Sequence, residues 1–208
     1  DPNFPPNLSI KPYSIGFNDS NATAQAGAID KYGIAGRVWE AGKPLLEYLT
    51  PGKDFDPPCS LFSGGHQRVL ELGSGQSVPS LRLATYLTPA DLVVLTDLPN
   101  VVPLCHQAVK AHVGSIRARV VVEPLAWGED ASMVKRLGPF THILCCDLIY
   151  FPHLYPSLLL TLLELTEREP SEEDTFGPEV ILAYQSRSLA LEHSFFDAFE
   201  LYFRMQPV

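Results

Sequence analysis

Several things are scarce in this sequence, and each shortage excludes something. Basic residues are few: 15 Lys and Arg stand against 24 Asp and Glu, a formal net charge of −9. Such a surface repels phosphate backbones, so a grip on nucleic acid would need a local basic patch. The longest candidate, Arg117 to Arg119, is too thin to provide one. Cysteine is limited to four residues, with no Cys-x-x-Cys and no His-x-x-x-His spacing, so neither a disulfide framework nor a zinc site has support. Cys145 and Cys146 are adjacent in an apolar run, where a strand would send them to opposite faces. The expectation is a reducing compartment, cytoplasmic with the nucleus as a second setting. The most apolar stretch, Leu158 to Leu165, falls far short of the roughly 20 residues of a membrane span. An initiator Met is also missing. The chain opens at Asp1 and stops at Val208, just where another strand would begin, so the last edge strands of the sheet are expected to be absent.

What is present is enough for a core. Hydrophobic residues make up 46% of 208 residues and charged ones 19%, which suits one folded domain. The first 33 residues, with Pro2, Pro5, Pro6 and Pro12, read as an extended arm, and residues 34–208 as the domain itself. Val38, Ala41, Leu45, Leu46 and Leu49 recur at helical spacing, with Pro44 marking a start or a bend. Residues 50–67 carry loop chemistry. Short apolar runs then alternate with helical patterns. Strands are expected at Arg68–Leu72, Leu92–Thr96, Arg119–Glu123, His142–Cys146 and Val180–Tyr184. Helices are expected at Pro79–Leu87, Val101–His112, Asp130–Leu137, Tyr155–Arg168 and Ala190–Phe203, with an acidic loop over Ser171–Pro178. Strand–helix alternation of this kind predicts an α/β fold, a Rossmann-like, doubly wound, mostly parallel sheet covered on both faces.

In such a sheet, ligands bind at the carboxyl ends of the strands. The first strand runs into Glu71-Leu72-Gly73-Ser74-Gly75, where glycines permit a tight turn and close approach of backbone to ligand. The same turn also serves as a strand-to-helix junction that binds nothing. Val78 stands where a dinucleotide fingerprint has its third glycine, which disfavours a pyrophosphate. The second strand ends at Asp97 and Leu98; an acid there either accepts ribose hydroxyls or caps the next helix. A glycine turn without the pyrophosphate pattern, followed by a ribose acid, describes a nucleoside lacking phosphates. S-adenosylmethionine is such a ligand, and its cationic groups suit Glu71.

The order of these motifs resembles the seven-β-strand methyltransferases of the methyltransferase-like 21 group, also called family 16, which includes protein lysine methyltransferases acting on elongation factors and chaperones. Gly36-Arg37-Val38-Trp39 is similar to the group's upstream segment, whose Trp lies against the cofactor. Glu71-Leu72-Gly73-Ser74-Gly75 resembles its glycine motif, Leu95-Thr96-Asp97-Leu98-Pro99 its ribose acid, and Leu125-Ala126-Trp127-Gly128 the segment that flanks the adenine. Asp147-Leu148-Ile149-Tyr150 resembles its Asp-x-x-Tyr signature, and Gln185-Ser186-Arg187 extends the pattern. Two departures stand out: Ser77 replaces the motif's third glycine, and Cys146 occupies the position before the signature Asp that contacts cofactor in the group.

The resemblance implies S-adenosylmethionine as cofactor, held by Trp39, Glu71, Gly73, Ser74, Gly75, Asp97, Leu98, Trp127 and Cys146, and a lysine ε-amine on a protein as methyl acceptor. Asp147 would orient the amine and Tyr150 would line its channel. Capping and ordinary packing are the alternatives for these two residues. The expected partner is a protein with an exposed lysine, met by a monomer, with no nucleic acid, membrane or metal involved. A small nicotinamide-like amine is the alternative acceptor, and a non-catalytic cofactor-binding domain a further alternative. Base methylation is disfavoured because Leu148 and Ile149 stand where a base-flipping motif has prolines. Arginine methylation is disfavoured because no segment supplies a pair of glutamates.

Overall fold

A computed structural model describes residues 10–16, 22–168 and 177–208. Pro2, Pro5 and Pro6 and the acidic Glu172 to Asp174 lie outside the described residues. Five parallel strands, β1 (Arg68–Leu72), β2 (Leu92–Asp97), β3 (Arg119–Pro124), β4 (His142–Cys146) and β5 (Glu179–Ala183), form one sheet in the order β3-β2-β1-β4-β5. The helices are α1 (Ala22–Tyr32), α2 (Gly42–Tyr48), α3 (Val78–Tyr86), α4 (Val102–His112), α5 (Ser132–Lys135), α6 (Tyr155–Thr166) and α7 (Leu189–Phe199). The strand order therefore reverses between β1 and β4, and the glycine turn after β1 faces the end of β4 across that point.

Alternation along the strands builds two cores. Leu70 and Leu72 of β1, Val94 of β2, and Ile143 and Cys145 of β4 pack with Leu158 and Leu162 of α6 and Phe195 and Phe199 of α7. Val69, Val93, Leu95 and Leu144 point the other way, onto Leu45 and Tyr48 of α2 and Leu81, Leu83 and Ala84 of α3. Each fully buried aliphatic side chain contributes about 1.5–3 kcal/mol. Cys145 and Cys146 do fall on opposite sides, one in each core. The central strands β1, β2 and β4 are buried on both faces, whereas β3 and β5 are half-buried edges among the described strands.

One expectation changes. Residues 22–32 form α1, so the extended reading of the first 33 residues does not hold there; Ala22, Ala24, Ala26 and Ala28 favour a helix over an arm. The sheet has five described strands, the five expected from the sequence. Gln25 fastens α1 to its surroundings. Its buried amide oxygen accepts the N–H of Tyr13 at 2.8 Å and of Val38 at 3.1 Å, and its nitrogen donates to the Tyr13 carbonyl at 2.9 Å. Residues 10–16 are thus a strap across the carboxyl end of the sheet.

Candidate active site

The glycine turn is shaped by its neighbours as much as by its own sequence. Gly73 and Gly75 adopt left-handed backbone, with φ of 57° and 47°. A Cβ on Gly73 would lie 2.8 Å from Leu148 and 3.2 Å from Trp127, and one on Gly75 would lie 2.7 Å from the Ala35 carbonyl. Ser77 shares the left-handed conformation at φ 57°, so the position where the family motif has glycine keeps a glycine-like backbone despite its side chain. Ser74 ties the turn to β2: its N–H donates to the Thr96 carbonyl at 2.9 Å, and its hydroxyl accepts the Thr96 N–H at 3.1 Å.

An open cleft lies beside this turn, lined by Ile15 of the strap, Arg37, Trp39, Gly42, Glu71, Gly73 to Pro79, and Cys146. Glu71 at its floor is buried, and one of its carboxylate oxygens, Oε2, has no hydrogen-bond partner. The Ser80 hydroxyl nearby is likewise buried and unpartnered. Burial pushes the Glu71 carboxyl up to about 8; the proximity of the Ser80 and Ser74 hydroxyls pulls against that, and the charge of Asp97 adds to it. A buried acid with an idle oxygen at the floor of a cleft suits a cationic group.

Asp97 closes the far side of the turn. Its Oδ2 accepts the Gly75 N–H at 2.8 Å and its Oδ1 the Leu98 N–H at 2.8 Å, while burial raises its pKa. Carboxylate oxygens with one donor each retain acceptor capacity for ribose hydroxyls. Leu98 exposes its side chain at the rim. Trp127 is half-buried beside Gly73 and 6.5 Å, centroid to centroid, from Tyr150. Asp97, Leu98 and Trp127 are not among the cleft-lining residues. The expected cofactor residues therefore divide into a cleft holding Trp39, Glu71, Gly73, Ser74, Gly75 and Cys146, and a second group beside it, the buried Asp97 with Leu98 and Trp127. That division fits S-adenosylmethionine, whose amino-acid end is charged and whose adenosine end offers hydroxyls and a flat ring.

Asp147 follows β4 in left-handed backbone, φ 59°, with its N–H donating to the Ala183 carbonyl at 2.7 Å. Its carboxylate is gripped by Arg187, Nη1 to Oδ1 at 2.8 Å and Nη2 to Oδ2 at 2.7 Å, and the Gln185 N–H adds a third donor at 3.3 Å. The Asp147 side chain has no exposed surface, whereas that of Arg187 is 35% exposed. The same guanidinium lies over Trp39, 5.3 Å from the ring centroid, and Arg37 lies over it at 4.4 Å while pairing with Glu40. Trp39 itself donates to the Ile34 carbonyl at 3.0 Å. Burial, then the charges of Asp97 and Asp147, push the Tyr150 hydroxyl above its ordinary pKa, which puts this residue within electrostatic reach of both acids. Trp39, Cys146, Asp147 and Tyr150 thus gather at one end of the sheet.

Sequence reasoning placed Arg37 and Arg187 in motif segments without giving either a role, and passed over Gln25 and Ile15. A lone arginine after a fifth strand carries no signal until the strand order places β5 beside β4. His142 lies at the opposite end, bonded to Ser60 and Thr141 and lowered in pKa by burial, in keeping with a structural part. Among the described residues no cluster could hold a metal, and no helix is long and apolar enough to cross a membrane.

The yeast (Saccharomyces cerevisiae) protein-lysine N-methyltransferase EFM6 is 29% identical over 178 residues, covering 78% of this chain and 68% of that protein. EEF1A lysine methyltransferase 3 of Mus musculus is 33% identical, covering 65% of this chain and 52% of that protein. The histone-arginine methyltransferase METTL23 of Xenopus laevis is also 33% identical, covering 65% and 53%. The chain thus spans about half the length of the last two relatives. A family described as lysine methyltransferase matches residues 20–201, from the start of α1 past the end of α7 and across every site residue described above except Ile15 of the strap. The chain belongs to the lysine methyltransferase family.

Proposed function

We propose that this chain is an S-adenosylmethionine-dependent methyltransferase whose acceptor is the ε-amine of a lysine on a protein substrate, a translation factor or chaperone being the class expected. The observation that carries the reading is Glu71: a buried carboxyl group with an unpartnered oxygen at the floor of a cleft, beside a glycine turn and within electrostatic reach of Asp97. Glu71 would receive the cofactor's ammonium, Asp97 its ribose hydroxyls, and Leu98 and Trp127 its base. When bound, the cofactor supplies an electrophilic methyl group. The chain's part is then to position a neutral amine in line with that group. Asp147, its side chain covered by Arg187, bears on the amine through its charge, Tyr150 walls the approach, and the aromatic face of Tyr150 favours a cationic head, by roughly 0.5–2 kcal/mol for such a contact. The amine's proton leaves to water.

The acidic balance of the chain supports a basic protein partner. A cytoplasmic setting, a monomeric state, no nucleic acid or membrane, and a sheet of the seven-strand type belong to the same proposal. An arginine acceptor is the second reading, favoured by the planar cation that Asp147 and Trp39 already hold in Arg187.

The test is transfer of tritiated methyl from S-adenosylmethionine into a cell extract, separated by size, with Asp147→Ala as control. A discrete protein band yielding methyl-lysine on hydrolysis is expected. Methyl-arginine would move the acceptor to arginine, and label confined to small molecules would move it to a small amine. No label with cofactor binding intact would make this a binding domain, for which the exposed Leu189 and Leu191 of α7 are the relevant surface.

A further inference from the structure

The ends of β4 and β5 carry a feature that amine methylation does not by itself demand. Asp147 is fully covered, and both of its oxygens take one guanidinium side-on. The charges around the pair come from every neighbouring element. Glu40, before α2, and Glu192, in the first turn of α7, both act on Arg187. Glu40 is itself paired with Arg37, and Glu192 accepts the Ser186 hydroxyl and the N–H groups of Arg187 and Ser188. On the cleft side Asp147 acts on the Cys146 thiol and the Tyr150 hydroxyl, with Glu71 and Asp97 beyond them. Asp147 thus has one cation at contact and an otherwise acidic surround.

A lysine amine with an ordinary pKa of about 10.4 must lose its proton before its nitrogen can attack. A bare carboxylate would oppose that loss, because an opposite charge within about 4–6 Å favours the charged form by roughly 1–3 pH units. A guanidinium bound side-on cancels that charge. Arg187 and the Gln185 N–H give the carboxylate three donors, and its side chain has no exposed surface, so Asp147 acts on the amine through its charge and not by contact. Arginine rather than lysine suits this place, since its fork also fixes the carboxylate plane. We propose that Arg187 is a positioning residue for methyl transfer, orienting Asp147 and cancelling its charge so that the acceptor amine sheds its proton near neutral pH. This rests on the amine-methylation reading above.

The test follows the initial rate of tritiated-methyl transfer into the labelled band of the extract against pH, for the wild-type chain, Arg187→Gln, Arg187→Lys and Asp147→Asn. Arg187→Gln bares the carboxylate, so its rising limb should move alkaline by about one pH unit, with the rate recovering at high pH. Arg187→Lys should keep the wild-type limb at a lower rate throughout. Asp147→Asn leaves the guanidinium uncompensated, and the limb of its residual activity should move to lower pH. A loss by Arg187→Gln that is uniform in pH would mean that the arginine only holds the loop, and overturns the inference. If Arg187→Gln does not melt cooperatively, Asp147→Asn decides: an acid shift supports the proposal, and an unmoved or alkaline limb overturns it. No transfer by the wild-type chain overturns the methylation reading instead, whereas transfer with unmoved limbs overturns only the role of Arg187.

Discussion

At the scale of single residues, the acids of the site are set against the stability of the empty fold. Glu71 ionises in the unfolded chain at an ordinary carboxylate pKa, but in the fold only near 8. Between those values the folded form holds a proton that the unfolded form has released, so stability contributed by Glu71 is full at low pH and declines as pH rises through about 8. Glu71→Gln should therefore raise the melting temperature of the ligand-free protein at pH 8, by about 2–4 °C for each kcal/mol recovered, while weakening cofactor binding. A calorimetric melt with and without S-adenosylmethionine reads both effects. Asp97 works the other way, since it holds the turn as well as any ribose. Removing a charged acceptor costs about 1.5–3 kcal/mol per hydrogen bond, so Asp97→Ala should reduce cofactor affinity roughly 10–100-fold by titration calorimetry. Ser77 offers a third check. Its left-handed backbone is strained for a residue with a Cβ, so Ser77→Gly should be neutral or stabilising by up to about 1 kcal/mol, and Ser77→Val clearly destabilising, in denaturant unfolding.

At the scale of elements, the strands were the legible part. Short apolar runs bounded by turn residues mark β1 and β4 to the residue, and β2, β3 and β5 to within one position at their ends. Four of the five expected helices shortened instead, while the helix after β1 moved by one position. Asp130–Leu137 contracts to Ser132–Lys135 because the Asp130 side chain accepts the Ser132 N–H at 2.9 Å in a turn ahead of the helix, which starts later. The largest miss was α1, where the prolines of the opening residues drew the extended reading past its range and hid an alanine-rich helix. Cofactor motifs were readable because each lies in one continuous stretch at a strand end. Arg187 and the strap were not, since their partners Asp147 and Val38 are joined to them only by folding. Gln25 is the element-scale test of the strap. Gln25→Ala leaves the Tyr13 N–H and carbonyl and the Val38 N–H without their partner. Faster hydrogen exchange across residues 10–16 and at Val38 is expected, with a weaker grip on cofactor as Ile15 leaves the cleft wall.

At the scale of the whole molecule, the net charge of −9 sets how a basic substrate arrives. Steering by that field is screened over about 10 Å at 0.1 M salt, so kcat/KM for a protein acceptor should fall several-fold between 0.05 and 0.2 M salt, with kcat little changed. A small amine would show a much weaker dependence, which separates the two acceptor classes without identifying either. Charge names the kind of partner and no more, for the lysine chosen depends on the contour of a rim that composition does not encode. One further consequence concerns measurement itself. The chain has two tryptophans, one lining the cleft with two guanidinium groups over its ring, the other packed beside the turn that bounds it. No indole elsewhere contributes background light, so ultraviolet emission from this protein is a native optical gauge of the site, and its colour and intensity report occupancy there without any attached dye.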